Sequence, residues 1–219
     1  MSLIESLASL QRRFRARRMK LLARAVGLTP QMRVLDVGGT IEIWRLAPVM
    51  PRVVLLNQAF WPHQMEAAEG VILGDGTRLP FADQSFDLVF SNSVIEHVGD
   101  QAAQTRFARE IARVGKRYWV QTPNRYFPIE HHLWTPLVHW LPRAWQRAIV
   151  RRFSIWRLVT KHNAAEREFY VNHYLDTIRL LSAPELAALF PGAAIVRERS
   201  FGWTKSLVAW KSSDKPGVT

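Results

Sequence analysis

The chain of 219 residues contains no cysteine. That rules out disulfides, thiolate nucleophiles and cysteine-bound zinc, and it fits a reducing compartment. It also lacks any run of about 18 or more apolar residues, so no membrane-spanning helix is expected. The opening stretch, MSLIESLASLQRRFRARRMK, has no long apolar core of the secretory type, and a cytoplasmic location is the expectation. Acidic residues are scarce, with 18 Asp and Glu against 30 Lys and Arg for a net charge of +12. The surplus is clustered. One block is Arg12, Arg13, Arg15, Arg17, Arg18 and Lys20. The other runs from His131 to Ala165, holding Arg143, Arg147, Arg151, Arg152, Arg157 and Lys161 and no acidic residue. Such blocks attract anionic partners, whether nucleic acid, the inner face of a membrane or a phosphorylated small molecule, or simply lie solvated.

Apolar residues make up 48% of the chain, enough for one sizeable core. Leu3, Leu7, Leu10, Phe14, Leu21, Leu22 and Ala25 recur at helical spacing, which predicts an amphipathic helix over residues 3–26 that Gly27 ends. Strands and helices then alternate. Strands are expected at 33–37, 53–56, 71–73, 86–90 and 117–121. Helices are expected at 41–49, at 62–69 as a short element, and at 102–114. Continuous apolar strands separated by helices read as a parallel sheet covered on both faces. The alternation stops after Pro123. Residues 124–181 form a Pro-, Trp- and Arg-rich insertion with no strand expected. Ser182-Ala-Pro-Glu185 is a capping-box pattern that opens a helix to Phe190, followed by strands at 194–199 and 206–210 and a tail at 212–219. A single domain is expected: an N-terminal helix over 1–28, a ligand-binding core at 30–123, the insertion at 124–181 and a closing unit at 182–211.

Three strand ends carry polar residues or glycine: Val34–Gly39 (VLDVGG), Gly74–Phe81 (GDGTRLPF) and Asp87–Val98 (DLVFSNSVIEHV). In an open parallel sheet such ends hold a ligand. Gly38 and Gly39 allow a tight turn and close backbone approach. Asp36 can fix that turn or accept from a cationic ligand group. Asp75 can accept from an exocyclic amine such as that of adenine, and Gly76 lets the backbone lie against a flat ring.

In this order and spacing the three segments, with Gln121-Thr-Pro-Asn124 after the fifth strand, resemble the class I S-adenosylmethionine-dependent methyltransferases, and within them the type 11 small-molecule group. The resemblance covers residues 30–123 and, loosely, the closing unit. It implies an α/β fold: a Rossmann-like, seven-stranded, mostly parallel sheet with helices on both faces and the last strand inserted antiparallel, here with a helical Trp/Arg-rich insertion. It implies S-adenosylmethionine as cofactor, S-adenosylhomocysteine as product and no metal. Carried over by position, Asp36, Gly38 and Gly39 hold the methionine part, Asp75, with Gly76 and Thr77 beside it, reads adenine, and Ser91 and Asn92 line the carboxylate or sulfonium end. Two departures stand out. The glycine loop is shortened to Gly38-Gly39-Thr40. The acidic residue that usually grips the ribose hydroxyls after the second strand is replaced by Asn57, which bonds a hydroxyl without charge assistance.

Methyl transfer needs an in-line nucleophile and a base. His97 is the first candidate, with His132 in the insertion behind it. Glu96, His97 and His131 form a candidate metal set by similarity to metal-dependent methyltransferases, although Ser93 stands where those have a further carboxylate. Trp134, Trp140, Trp145 and Trp156, four of the nine tryptophans, are interleaved with arginines in the insertion. They suit a lid over the acceptor or contact with an anionic bilayer. The expected activity is methylation of oxygen, or else nitrogen, of a small or lipid-linked metabolite, in a setting such as glycan or lipid biosynthesis. The alternatives are an RNA methyltransferase and a non-catalytic cofactor-binding scaffold.

Overall fold

Helix α1 (Leu3–Val26) packs on one face of a sheet through Met19, Leu22 and Val26, whereas Leu21 of the expected apolar stripe is exposed. The computed structural model describes residues 3–59, 68–130, 135–153, 172, 175, 177–200 and 202–211. After α1 come β1 (Arg33–Val37), the one-turn helix α2 (Ile41–Trp44), β2 (Arg52–Asn57), β3 (Gly70–Leu73), β4 (Leu88–Asn92), α3 (Gln101–Val114) and β5 (Tyr118–Pro123). The expected helix over 41–49 is thus cut to a single turn. The one expected over 62–69 falls almost wholly outside the described residues.

The insertion carries a two-stranded pair, β6 (Ile129–Glu130) with β7 (Thr135–Pro136), where no strand was expected, and helix α4 (Arg143–Phe153). The chain closes with α5 (Ala183–Leu189), β8 (Ala194–Ser200) and β9 (Trp203–Lys211). Helix α5 begins in the expected way: Ser182 and Glu185 form a reciprocal capping box with proline in the first turn.

The seven-stranded sheet runs β3-β2-β1-β4-β5-β9-β8. Neighbours from β3 to β5 pair in parallel, whereas β9 lies antiparallel to both β5 and β8. Alternation along each strand sends side chains to two cores. Leu35, Val37, Val54, Leu56, Val89 and Val120 pack under α3 and α5 with Phe107, Ile111, Leu186 and Phe190. Val34, Val53, Leu55, Leu88, Phe90 and Trp119 pack under α1 and α2 with Met19, Leu22, Ile41 and Trp44. The chain crosses from one side of β1 to the other between β3 and β4. At that switch point a crevice opens beyond the strand ends. No helix among the described residues is long and apolar enough to cross a membrane.

Candidate active site

The crevice has a volume of about 280 Å³ and is lined by Val37 and Gly38 after β1, Leu56–Ala59 after β2, Gly74 and Gly76 after β3, and Val94, His97 and Val98 after β4, with Phe107 of α3 beneath. The lining holds no Asp, Glu, Lys or Arg, and His97 is its one titratable side chain. Close approach requires the glycines. Gly38 has a positive φ of 77°, and a Cβ there would meet a Val94 methyl at 2.6 Å; one at Gly76 would meet the Phe107 ring at 2.7 Å. Residue 93 supports this wall from the other end. Ser93 adopts φ 58°, its N–H donates to the Gln121 carbonyl at 2.9 Å and its hydroxyl to Gln121 Oε1 at 3.0 Å. That left-handed turn sends Val94–Val98 back across the strand tips.

The candidate residues divide between lining and support. Gly38, Asn57, Gly76 and His97 line the crevice. Asn57 also spans to the first loop, its amide donating to the Gly39 carbonyl at 3.1 Å. Asp75 is exposed and sits beside the lining glycines; its Oδ1 accepts from the Thr77 N–H at 2.8 Å and so shapes the turn. That loop is anchored by α3. Glu110 accepts from the Leu79 N–H, and Arg113 donates to the Leu79 and Phe81 carbonyls. Ser91 is buried and donates to the Val37 carbonyl at 3.1 Å, tying β4 to the end of β1.

Asp36 lies beneath the glycine turn, fully buried. Alternation places it on the α2 side, where its Oδ2 accepts from Trp44 Nε1 at 2.9 Å. Its Oδ1 has no hydrogen-bond partner among the described residues. A Cβ on Gly39 would fall 2.2 Å from this carboxyl, so only glycine fits above it. Burial pushes the Asp36 carboxyl up to about 7, against the lowering effect of the Trp44 hydrogen bond.

Asn92 faces the α1 side and is taken up by a cluster absent from the expected site. Arg18, buried, donates through Nη1 to Asn92 and Gln121 and through Nε and Nη2 to Glu198, with Ser206 closing the group. Burial raises the Glu198 pKa, but the Arg18 bonds outweigh it and hold the carboxylate below its usual range. The other five members of the N-terminal basic block are exposed. The signal was present in the sequence: Arg18 is the one charge that falls on the apolar stripe, four residues after Phe14.

Glu96 and His97 part company. They share a short 3-10 turn (Ile95–His97), yet Glu96 is buried with Oε2 accepting from Thr122 at 2.9 Å, while His97 is exposed at the crevice. No group of three potential metal ligands occurs among the described residues. His131 and His132 lie outside them, as do Trp134 and Trp156.

An open doubly wound sheet with an antiparallel strand nested between the fifth and the last, and a glycine-walled crevice at the switch point, is the architecture of the class I methyltransferases. Comparison with known proteins gives the more particular assignment. Residues 53–118 match a family model described as a methyltransferase domain. A curated protein of Encephalitozoon cuniculi, provisionally named a methyltransferase, is 40% identical over 62 residues, a segment that spans 28% of either protein. A chain from the complex between the Haloferax volcanii Trm112 methyltransferase activator and a methyltransferase matches in fold, at 15% identity and TM-score 0.51, over 94% of this chain and 91% of its own. A Rhodobacter sphaeroides structure, described as of Zn-dependent alcohol dehydrogenases, shares the doubly wound layout at 9% identity and TM-score 0.53, covering 83% of this chain and 84% of its own. The layout alone therefore carries no chemistry. What the comparisons establish is a segment, residues 53–118, similar to a methyltransferase domain, set in a Rossmann-like fold that a methyltransferase structure shares over most of its length.

Proposed function

We propose that the chain transfers the methyl group of S-adenosylmethionine to an oxygen of a small or lipid-linked acceptor. The observation that carries this reading is the crevice itself: four strand ends, three of them glycine-walled or amide-lined, converge on a neutral groove whose one titratable lining group is His97. The residues fit the cofactor. Gly38 and Gly76 leave room for backbone contact, Asn57 offers an amide to a hydroxyl, and Asp75 stands beside the site for adenine. The unpartnered Asp36 Oδ1 under Gly39 is an acceptor suited to a cationic group. When bound, the cofactor supplies an electrophilic methyl on sulfur.

The protein's own part is alignment and proton removal. His97 takes the proton from the acceptor hydroxyl as the new carbon–oxygen bond forms and the carbon–sulfur bond breaks, leaving a neutral thioether. Its backbone is fixed for this role, because the His97 N–H donates to the Val94 carbonyl at 2.8 Å. The exposed basic residues of α1 suit peripheral contact with an anionic membrane and would keep a lipid-linked acceptor close. The test is an untargeted search for labelled products after incubating extracts with methyl-labelled S-adenosylmethionine. The reading predicts a labelled product that requires the chain and fades with His97→Ala. Absence of any chain-dependent product alongside absence of cofactor binding would leave a scaffold.

A further inference from the structure

A second cavity, of about 640 Å³, shares the 97–100 segment with the crevice. His97 and Val98 line the first cavity, and Gly99 and Asp100 line the second. The remaining wall comes from the insertion and its return: Arg125, His139, Trp140, Arg143, Gln146 and residues 177–180. These walls are physically tied to the crevice. The Arg179 N–H donates to the Glu96 carbonyl at 2.9 Å, and the Gln104 amide bridges the Ile95 and Arg179 carbonyls at 3.0 and 2.9 Å.

The second cavity is cationic where the first is neutral. Arg125 and Arg179 share a single carboxylate, Glu185, at 3.1 and 2.8 Å. Glu185 is also held by the Ser182 N–H and hydroxyl, so its acceptor capacity is spread over four donors. Asp100 uses Oδ1 to cap α3 through the Ala103 N–H. Arg143, exposed at the start of α4, makes no hydrogen bond or ion pair among the described residues. Trp140 is 46% exposed, its Nε1 donating to the Arg125 carbonyl at 2.9 Å. Ile178 and Leu180 add apolar wall. A guanidinium fork beside an indole face matches a planar oxyanion carried on an apolar or aromatic body.

We infer that this cavity binds the acceptor through an oxyanion, a phosphate or carboxylate, with Arg143 as its principal free donor and Trp140 against the body of the molecule. The inference rests on the methyl-transfer reading for its functional meaning, since it assigns the acceptor's charge class, but the binding site is testable alone. The full-length chain, labelled with nitrogen-15, is titrated separately with phenyl phosphate, benzoate and the neutral phenyl β-glucoside while the indole N–H signals are followed. Trp140→Phe identifies the Trp140 signal.

The expected result is a saturable shift of that signal with phenyl phosphate, benzoate or both, none with the glucoside, and about tenfold weaker binding in Arg143→Ala, the loss of one charge-assisted hydrogen bond. A response to phenyl phosphate alone assigns a phosphorylated acceptor, and a response to benzoate alone a carboxylated one. No shift with either anion, an equal shift with the glucoside, or unchanged affinity in Arg143→Ala would overturn the inference. A parallel titration with S-adenosylmethionine separates the two readings. Oxyanion binding without cofactor binding removes the methyltransferase and keeps the anion site, whereas cofactor binding without oxyanion binding does the reverse.

Discussion

The two cavities that flank residues 97–100 differ in what made them. The crevice is built from strand ends, glycines and backbone, and His97 is the one titratable side chain in its lining. The cavity beyond is built from the insertion, and its polarity comes from long side chains: three arginines, a histidine and a tryptophan. The difference teaches a division of labour. A sheet's switch point supplies a site of fixed shape for a ligand shared by many enzymes, while side chains on an inserted segment set what comes to meet it.

His97 lines the crevice two residues before the second cavity's Gly99, and its replacement has the largest expected effect. His97→Ala should reduce turnover by about 10²- to 10⁴-fold, the usual worth of a positioned base, with S-adenosylmethionine affinity unchanged in calorimetry. Unaltered turnover would detach the chemistry from this segment. Asp36 tests the foundation of the crevice. Its carboxyl titrates near 7 in the folded chain against 3.8 in the unfolded one, so the folded state holds the extra proton between those values. Stability is then highest below about pH 4 and declines as pH rises through 7, by roughly 4 kcal/mol from this group. Asp36→Asn should flatten that part of the profile in urea unfolding at a series of pH values. An unchanged slope between pH 4 and 7 would show the carboxyl ionised and partnered.

Asp75→Ala is the smaller effect and the sharper discriminator. Losing the carboxylate that shapes the Asp75–Arg78 turn should weaken cofactor binding about 30-fold, in line with the loss of a charged hydrogen bond, and leave phenyl phosphate binding intact. Equal loss in both cavities would mean that they are one site.

How far these regions could be read in the sequence follows the same division. The strands of the core stand within three residues of their expected places, because buried parallel strands announce themselves as apolar runs between glycine and polar ends. Gly38, Asn57, Gly76 and His97 reach the crevice because they stand at or just beyond strand ends. Which face each end residue takes was also readable by counting in twos, which puts Asp36 and Asn92 on the α1 and α2 side, where Trp44 and Arg18 meet them. Arg18 belongs to a block of six basic residues, five of which are exposed, and only its place on the apolar stripe sets it apart. The second cavity was not legible. Its walls join Asp100, residues 125–146 and residues 177–180, which no local pattern links. The β6–β7 pair, two residues per strand, is too short to show a period.

The central claim, a cofactor crevice distinct from the cationic cavity beside it, is tested most directly by calorimetric titration with S-adenosylmethionine of the native chain, Asp75→Ala and Arg143→Ala. The account predicts one-to-one binding to the native chain, the same affinity in Arg143→Ala and a loss in Asp75→Ala. No binding to the native chain, or a loss in Arg143→Ala equal to that in Asp75→Ala, would contradict it.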